Sequence, residues 1–131
     1  MDENLGIIGL AFRAGKLAVG DKAVSEAVRD KRARLICTAK DAGERVRNSA
    51  RQAPKRCNGL YADTPISRTQ LGQVLGLSDC GVIAFLDPGL AWSFADKLAK
   101  ADREQYGALE TELKARKDRA EKRKAKKQEQ K

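Results

Sequence analysis

No histidine occurs among the 131 residues. That absence excludes Ser-His-Asp and Cys-His nucleophile sets, histidine general bases and mixed Cys/His zinc sites. Aromatic residues make up only 5% of the chain, too few for a platform of several stacked rings. The cysteines Cys37, Cys57 and Cys80 are widely spaced and odd in number, which argues against a disulfide framework or a CxxC pair and for reduced thiols in a cytosolic protein. Long apolar runs are missing too: the longest strongly apolar stretch, Val82 to Leu86, cannot span a bilayer. The opening Met1-Asp2-Glu3-Asn4 has no positive region of the signal-peptide kind. A cytoplasmic location is therefore expected, with no membrane, metal or cofactor. Asp and Glu are plentiful, but spacing names no convergent carboxylate pair and no nucleophile–base set, so an enzyme is not expected.

What the chain has in excess is positive charge: 27 Lys and Arg against 18 Asp and Glu, a formal +9. A balance of that sign favours polyanionic partners through long-range attraction and counterion release, nucleic acid first among them. The excess is uneven. Residues 97–131 hold 13 basic and 7 acidic side chains, a net +6, which leaves +3 for the first 96 residues. The length supports one hydrophobic core, and a 41% hydrophobic fraction is adequate to fill it.

Helix and strand signals alternate along the chain. Leu5, Ile8, Leu10 and Phe12 predict a first helix over about residues 4–14, opened by Asp2-Glu3-Asn4 and stopped at Gly15. Leu17-Ala18-Val19 reads as a short strand. Gly20-Asp21 offers a turn with a helix cap before Ala23, Val24, Ala27 and Val28, and that helix ends among Asp30 to Arg34. Leu35 to Ala39 is β-prone and reads as buried on both faces, as in a parallel sheet flanked by helices. A charged helix is predicted over Gly43 to Cys57, punctuated by Pro54 and Asn58-Gly59, followed by a strand at Leu60-Tyr61-Ala62.

Ser67-Arg68-Thr69-Gln70 has capping-box spacing for a short helix that Gly76 can end. Cys80 to Leu86 is the strongest strand signal. Asp87-Pro88 then places a cap and a first-position proline before Leu90, Phe94 and Leu98. The expected architecture is α/β, a three-layer α/β/α sandwich with a C-terminal helical extension. Residues 1–100 are expected to form the domain and residues 101–131 a charged, basic tail, helical or disordered. After Tyr106 the large apolar residues of the tail are Leu109 and Leu113, and pairs such as Glu110/Lys114 have i,i+4 spacing, so an exposed, fraying helix is predicted. It reads either as a solvated end or as a contact to an RNA backbone.

Three clusters are candidates for chemistry. In Gly15-Lys16-Leu17-Ala18-Val19-Gly20-Asp21-Lys22, two glycines bracket a short strand: Gly15 can bring backbone close to a ligand, Gly20 precedes a helix N-terminus whose amides attract anions, and Lys16 and Lys22 add charge for phosphate. The competing reading is a pair of plain turns beside solvated lysines. The stretch is no P-loop, because the earlier glycine and the Ser or Thr for magnesium are missing. In Ala39-Lys40-Asp41-Ala42, Lys40 is a contact candidate, and Asp41 either caps the next helix or meets RNA. In Gly76-Leu77-Ser78-Asp79, Leu77 is either an exposed apolar finger for an unstacked base or a core residue.

Leu10-Ala11-Phe12-Arg13-Ala14-Gly15-Lys16-Leu17-Ala18-Val19-Gly20, Ala39-Lys40-Asp41-Ala42, and Leu71-Gly72-Gln73-Val74-Leu75-Gly76 followed by Val82-Ile83-Ala84-Phe85 occur in this order. Together they resemble the L-seven-Ae / L-thirty-e ribosomal protein superfamily, in particular its bacterial YlxQ-like branch. The resemblance implies a mixed four-stranded sheet between helices and binding to kink-turn or related internal-loop RNA, ribosomal RNA above all. It places RNA contacts over Gly20 to Glu26 and Gly76 to Asp79; with the clusters read above, the candidate RNA-binding residues are Gly15, Lys16, Gly20, Asp21, Lys22, Lys40, Gly76, Leu77 and Ser78. Where kink-turn binders of archaea and eukaryotes carry Gly-x-Asn-Glu-x-x-Lys, this chain has Lys22, Ala23 and Glu26 at the Asn, Glu and Lys positions. Acceptors that could read guanine edges are thereby replaced by a charge suited to phosphate. A monomer is expected, with ribosomal proteins as further partners. The alternative function is a protein-interaction module of the same fold.

Overall fold

The computed structural model describes residues 2–129; Met1 and residues 130–131, the end of the expected tail, lie outside the described residues, as do the side chains of Asp2, Glu3, Gln128 and Glu129. Helix α1 (Asp2–Arg13) ends in a Schellman turn: the Lys16 amide donates to Ala11 O at 2.8 Å and the Gly15 amide to Phe12 O at 3.1 Å. Gly15 takes φ +71°, the left-handed backbone this turn requires. Strand β1 (Leu17–Val19) and helix α2 (Gly20–Arg29) follow, then β2 (Leu35–Thr38). The single charged helix expected next is two: α3 (Glu44–Gln52) and α4 (Pro54–Cys57). Pro54 has no N–H to donate back into the preceding turn, so the helix breaks at Ala53.

Strand β3 (Leu60–Asp63) leads to α5 (Arg68–Leu75), where both halves of the capping box form: the Gln70 amide donates to Ser67 Oγ at 3.1 Å and the Ser67 amide to Gln70 Oε1 at 2.9 Å. Strand β4 (Val82–Phe85) precedes α6 (Pro88–Ala101), which opens with the Leu90 amide on the Asp87 carboxylate at 3.0 Å and Pro88 in its first turn.

The sheet order is β1-β4-β2-β3. Pairs β1/β4 and β4/β2 are antiparallel and β2/β3 is parallel, so the sheet is mixed; the parallel neighbourhood read from the apolar run at Leu35 holds on the β3 side alone. All residues of β2 and β4 are buried, because helices cover both faces. Leu35, Cys37, Ile83 and Phe85 point into one core with Ile8 of α1, Leu71 of α5, and Phe94 and Leu98 of α6. Ile36, Val82 and Ala84 point into the other, with Val24 and Val28 of α2 and Ala50 of α3. The Phe85 and Phe94 rings meet at 5.0 Å between centroids, within the range of favourable aromatic pairs.

Helix α7 (Arg103–Glu129) differs from the exposed helix expected of the tail. Tyr106 is 6% exposed and Leu113 1% exposed, both inside the first core. The Tyr106 hydroxyl donates to Asp63 O at 2.6 Å, and Arg116 hydrogen-bonds Asn58 O. Trp92 of α6 donates to Glu110 at 2.8 Å while Lys114 and Lys117 lie over its ring. Apolar residues seven apart lie on one side of a helix, so Tyr106 and Leu113, with half-buried Leu109 beside them, seat a segment whose composition is mostly charged.

Candidate nucleic-acid interface

One end of the sheet gathers three loops. Val19 lies opposite Ile83 and Thr38 opposite Val82, so the C-terminal ends of β1 and β2 flank the start of β4. The Ala39 amide donates to Gly81 O at 2.9 Å, and the Cys80 amide donates to Arg68 O at 3.0 Å, fastening the end of the α5–β4 loop beside the Lys40 turn. Gly20, Asp21 and Lys22, Lys40, and the loop carrying Gly76, Leu77 and Ser78 therefore belong to the same end. Gly15 and Lys16 do not. Lys16 O accepts from the Leu86 amide, beyond the other end of β4, roughly 13 Å of extended chain from Gly20. The strand that the two glycines bracket separates them, so the edge expected over residues 15–22 is split between two ends of the sheet.

Backbone conformation explains the glycines. Gly20 has φ +88° and Gly76 φ +74°, and no atom lies within 4 Å of where a Cβ would stand on either. Conformation rather than crowding demands glycine there, and the space beside each is open to a ligand. Helix α2 starts with Val19 at the cap and no side-chain cap bond. Asp21 is thus no cap, contrary to expectation; it sits in the first turn, where its charge suits the helix dipole. The first amides of α2 are left without a side-chain acceptor. Lys22 and Lys40 are exposed and make no ion pair among the described residues. Leu77 is 49% exposed, which settles its two readings in favour of the surface.

Asp41 caps a different helix from the one expected. Its carboxylate accepts from the Arg68 amide at 2.8 Å, at the start of α5, while α3 has Gly43 at its cap. That backbone hydrogen bond, with help from the Arg68 and Lys40 charges, holds the Asp41 carboxyl below the usual Asp range. A depressed pKa stabilises the fold above the ordinary carboxylate range and loses that contribution as pH falls through the lowered value. Arg68 also lies 3.8 Å from Asp41 and 3.9 Å from Asp79, joining the Lys40 turn to the Leu77 loop.

Arg47 performs the same service from α3. Its guanidinium donates to Lys40 O at 2.8 Å and Ala39 O at 3.2 Å and pairs with Asp63, whose carboxylate also accepts from Thr38 Oγ1. The Asp63 hydrogen bond raises the Arg47 pKa further, so the clamp is a permanent charge. Arg47 and Arg68 went unnoticed in the sequence. Their partners lie up to 27 residues away, and no local spacing marks them.

A groove of about 370 Å³ runs from Asp21 between α2 and α3, floored by Val28 and Val46 and edged by Ser49, Arg29 and Arg56. Among the described residues no group of three or more His, Cys, Asp or Glu is placed to hold a metal, and no helix is long and apolar enough to cross a membrane.

No protein-family profile matches the chain. The RNA-binding protein YlxQ of Bacillus subtilis (strain 168) is 34% identical over 96 residues, covering 70% of this chain and 87% of that protein. A solved structure of a protein of unknown function from Bacillus halodurans C superposes with a TM-score of 0.65 at 26% identity, covering 72% of this chain and 94% of that one. On the strength of that identity and coverage, the chain belongs to the YlxQ family.

Proposed function

We propose that this protein is a non-enzymatic RNA-binding protein that grips a bent or looped RNA, of the kink-turn or internal-loop kind found in ribosomal RNA, on the sheet end formed by Gly20, Lys22, Lys40 and Gly76 to Ser78. The observation that carries the reading is the meeting of two open, left-handed glycine turns and two unpaired lysines at one end of the sheet. The name of the B. subtilis relative supports it. In this reading Lys22 and Lys40 hold phosphates, the free amides of α2 supply further donors, and Leu77 packs against an unstacked base. Lys22, Ala23 and Glu26 make recognition depend on backbone shape more than on base edges.

The test is titration of the full chain into a fluorescein-labelled bulged RNA duplex, followed by anisotropy across salt concentrations. Saturable binding that weakens with salt is expected, and the Lys22→Ala/Lys40→Ala variant should lower the log–log salt slope by about 1.4–1.8, or about 0.7–0.9 for each of two phosphate contacts. Absence of saturable binding by the unaltered protein would refute the reading. A second reading, a protein-interaction module, draws on Leu10 and Phe12, which stand 48% and 44% exposed on α1. It predicts a partner whose capture survives nuclease and is lost on Leu10→Ser/Phe12→Ser.

A further inference from the structure

The opposite end of the sheet carries a feature that the proposed interface does not use. Arg34, just before β2, and Arg116, Arg119 and Arg123 of α7 line a cavity of about 190 Å³ together with Asn58. Four guanidiniums converge there. Glu112 answers two of them, at 3.0 Å from Arg116 and 3.9 Å from Arg119, and Arg116 is further engaged by Asn58 O. Arg34 and Arg123 have no ion pair among the described residues, and the nearby Asp87 carboxylate is turned to the Leu90 amide.

The face of α7 explains how the cluster arises. Leu113, Arg116, Ala120 and Arg123 are spaced by three, four and three residues, one stripe of a helix. The stripe is apolar at Tyr106 and Leu113, where it covers the core, and turns to arginine where it passes the strand ends. A helix end that merely needed solubility would carry its charge on the outer face. Here Arg116, half-buried, and Arg119 and Arg123, both exposed, all line the concavity beside Arg34 and Asn58. Pro88, the first residue of α6, also lines the cavity, so the positive end of that helix dipole borders it. Like charges held together in a concavity repel one another unless an anion joins them. Arginine's planar fork suits phosphate oxygens.

We propose that this arginine cavity is a second RNA-backbone site, which takes phosphodiester groups of an RNA segment passing the end of the sheet remote from Lys22 and Lys40. Lys16, two strands across the same end, extends the positive surface. The proposal rests on the RNA-binding reading above, and adds that the RNA is held at both ends of the sheet. Recognition at this second site is by charge and shape, without base reading.

The experiment uses the full chain and the same labelled bulged duplex, extended by a helical arm. Arg119→Gln/Arg123→Gln is chosen because both side chains lie on the cavity but outside the hydrogen bond that seats α7. The salt slope should fall by about 1.4–1.8, with a roughly tenfold smaller loss of affinity between about 50 and 200 mM salt. Arg119→Lys/Arg123→Lys should keep most of the slope, and combining Arg119→Gln/Arg123→Gln with Lys22→Ala/Lys40→Ala should give additive losses. An unchanged unfolding midpoint checks the fold.

If the unaltered protein binds and Lys22→Ala/Lys40→Ala weakens it while Arg119→Gln/Arg123→Gln leaves the slope intact, the second site is overturned and the first stands. If the unaltered protein binds no RNA, both fall. Saturation of the cavity by inorganic phosphate, read as a midpoint shift absent from the Gln variant, would with an intact RNA slope assign it to free phosphate and overturn the proposal. Nuclease-resistant capture of an acidic protein through these arginines, again with the slope intact, would overturn it as well.

Discussion

Replacing Leu113 with alanine tests whether α7 is part of the folded unit. The substitution removes three buried carbons from a side chain that is 1% exposed. At about 0.8 kcal/mol per buried methylene, the transfer part is about 2.4 kcal/mol, and a rigid site would add a cavity contribution of up to a similar size. Leu113 borders the 190 Å³ cavity, where side chains and water can move in, so the addition is small and the total is about 2–3 kcal/mol. For a chain of this length that lowers Tm by about 8–12 °C. Urea unfolding should be followed by far-ultraviolet circular dichroism and by Trp92 fluorescence, with the midpoint shifting and the slope unchanged. Trp92 is the only tryptophan and lies in the α6–α7 seam, bonded to Glu110, so it reports the docking of α7 itself. Lys122→Ala, on the exposed outer part of α7, should change stability by less than about 0.5 kcal/mol. A Leu113→Ala loss as small as that of Lys122→Ala would refute the seating of the helix. Two separated transitions would refute its cooperation with the core.

Gly20→Ala should cost about 1–2 kcal/mol because alanine resists φ +88°, whereas Gly43→Ala, at φ −59° with open space, should be nearly neutral; thermal unfolding compares them. Tyr106→Phe loses the hydrogen bond to Asp63 O and should cost about 1 kcal/mol at neutral pH. Burial pushes the Tyr106 hydroxyl up to about 12, so the fold favours its neutral form; that contribution is whole below the ordinary tyrosine value near 10 and is lost as pH rises through 12. Stability curves of the two proteins should therefore converge over that alkaline window, and parallel curves would rule the linkage out. Cys37, Cys57 and Cys80 are all buried, and burial pushes the Cys37 and Cys80 thiols up, so Ellman's reagent should label none of them until the protein unfolds. Rapid labelling under native conditions would contradict this packing.

Much of the architecture was legible because local chemistry sets it. The capping box at Ser67 and Gln70, the Asp87-Pro88 start and the glycines ending α1 and α5 all act within a few residues, and each forms as its spacing predicts. The apolar runs at Leu35 and Val82 announced strands buried on both faces. Their pairing was not legible from the runs, since two-sided burial does not record direction. The site was half visible for the same reason. Gly20 and Gly76 betray themselves by residue type, but only the sheet register shows that Gly15 and Lys16 face away from Gly20. Arg47 with Asp63 and Arg68 with Asp41 are pairs across the chain, and Asp41 had an equally good local reading as a cap for α3. The seating of α7 was hidden because two well-placed side chains outweigh a mostly charged composition, and average hydrophobicity cannot see them.

Helix α7 and the edge strand β3 are commensurate. Tyr106 is tied to Asp63 at one end of the strand and Arg116 to Asn58 before the other. Ten helical residues rise about 15 Å, and five extended residues span about 16 Å. The helix therefore works like a ruler laid along the strand, with both ends pinned. A single residue inserted between Tyr106 and Leu113 would rotate everything beyond it by about 100°. The length and charge of the segment would barely change, yet the arginines would swing off the strand ends. In this chain a change of one residue in that interval would matter more than the loss of several from the end of the helix.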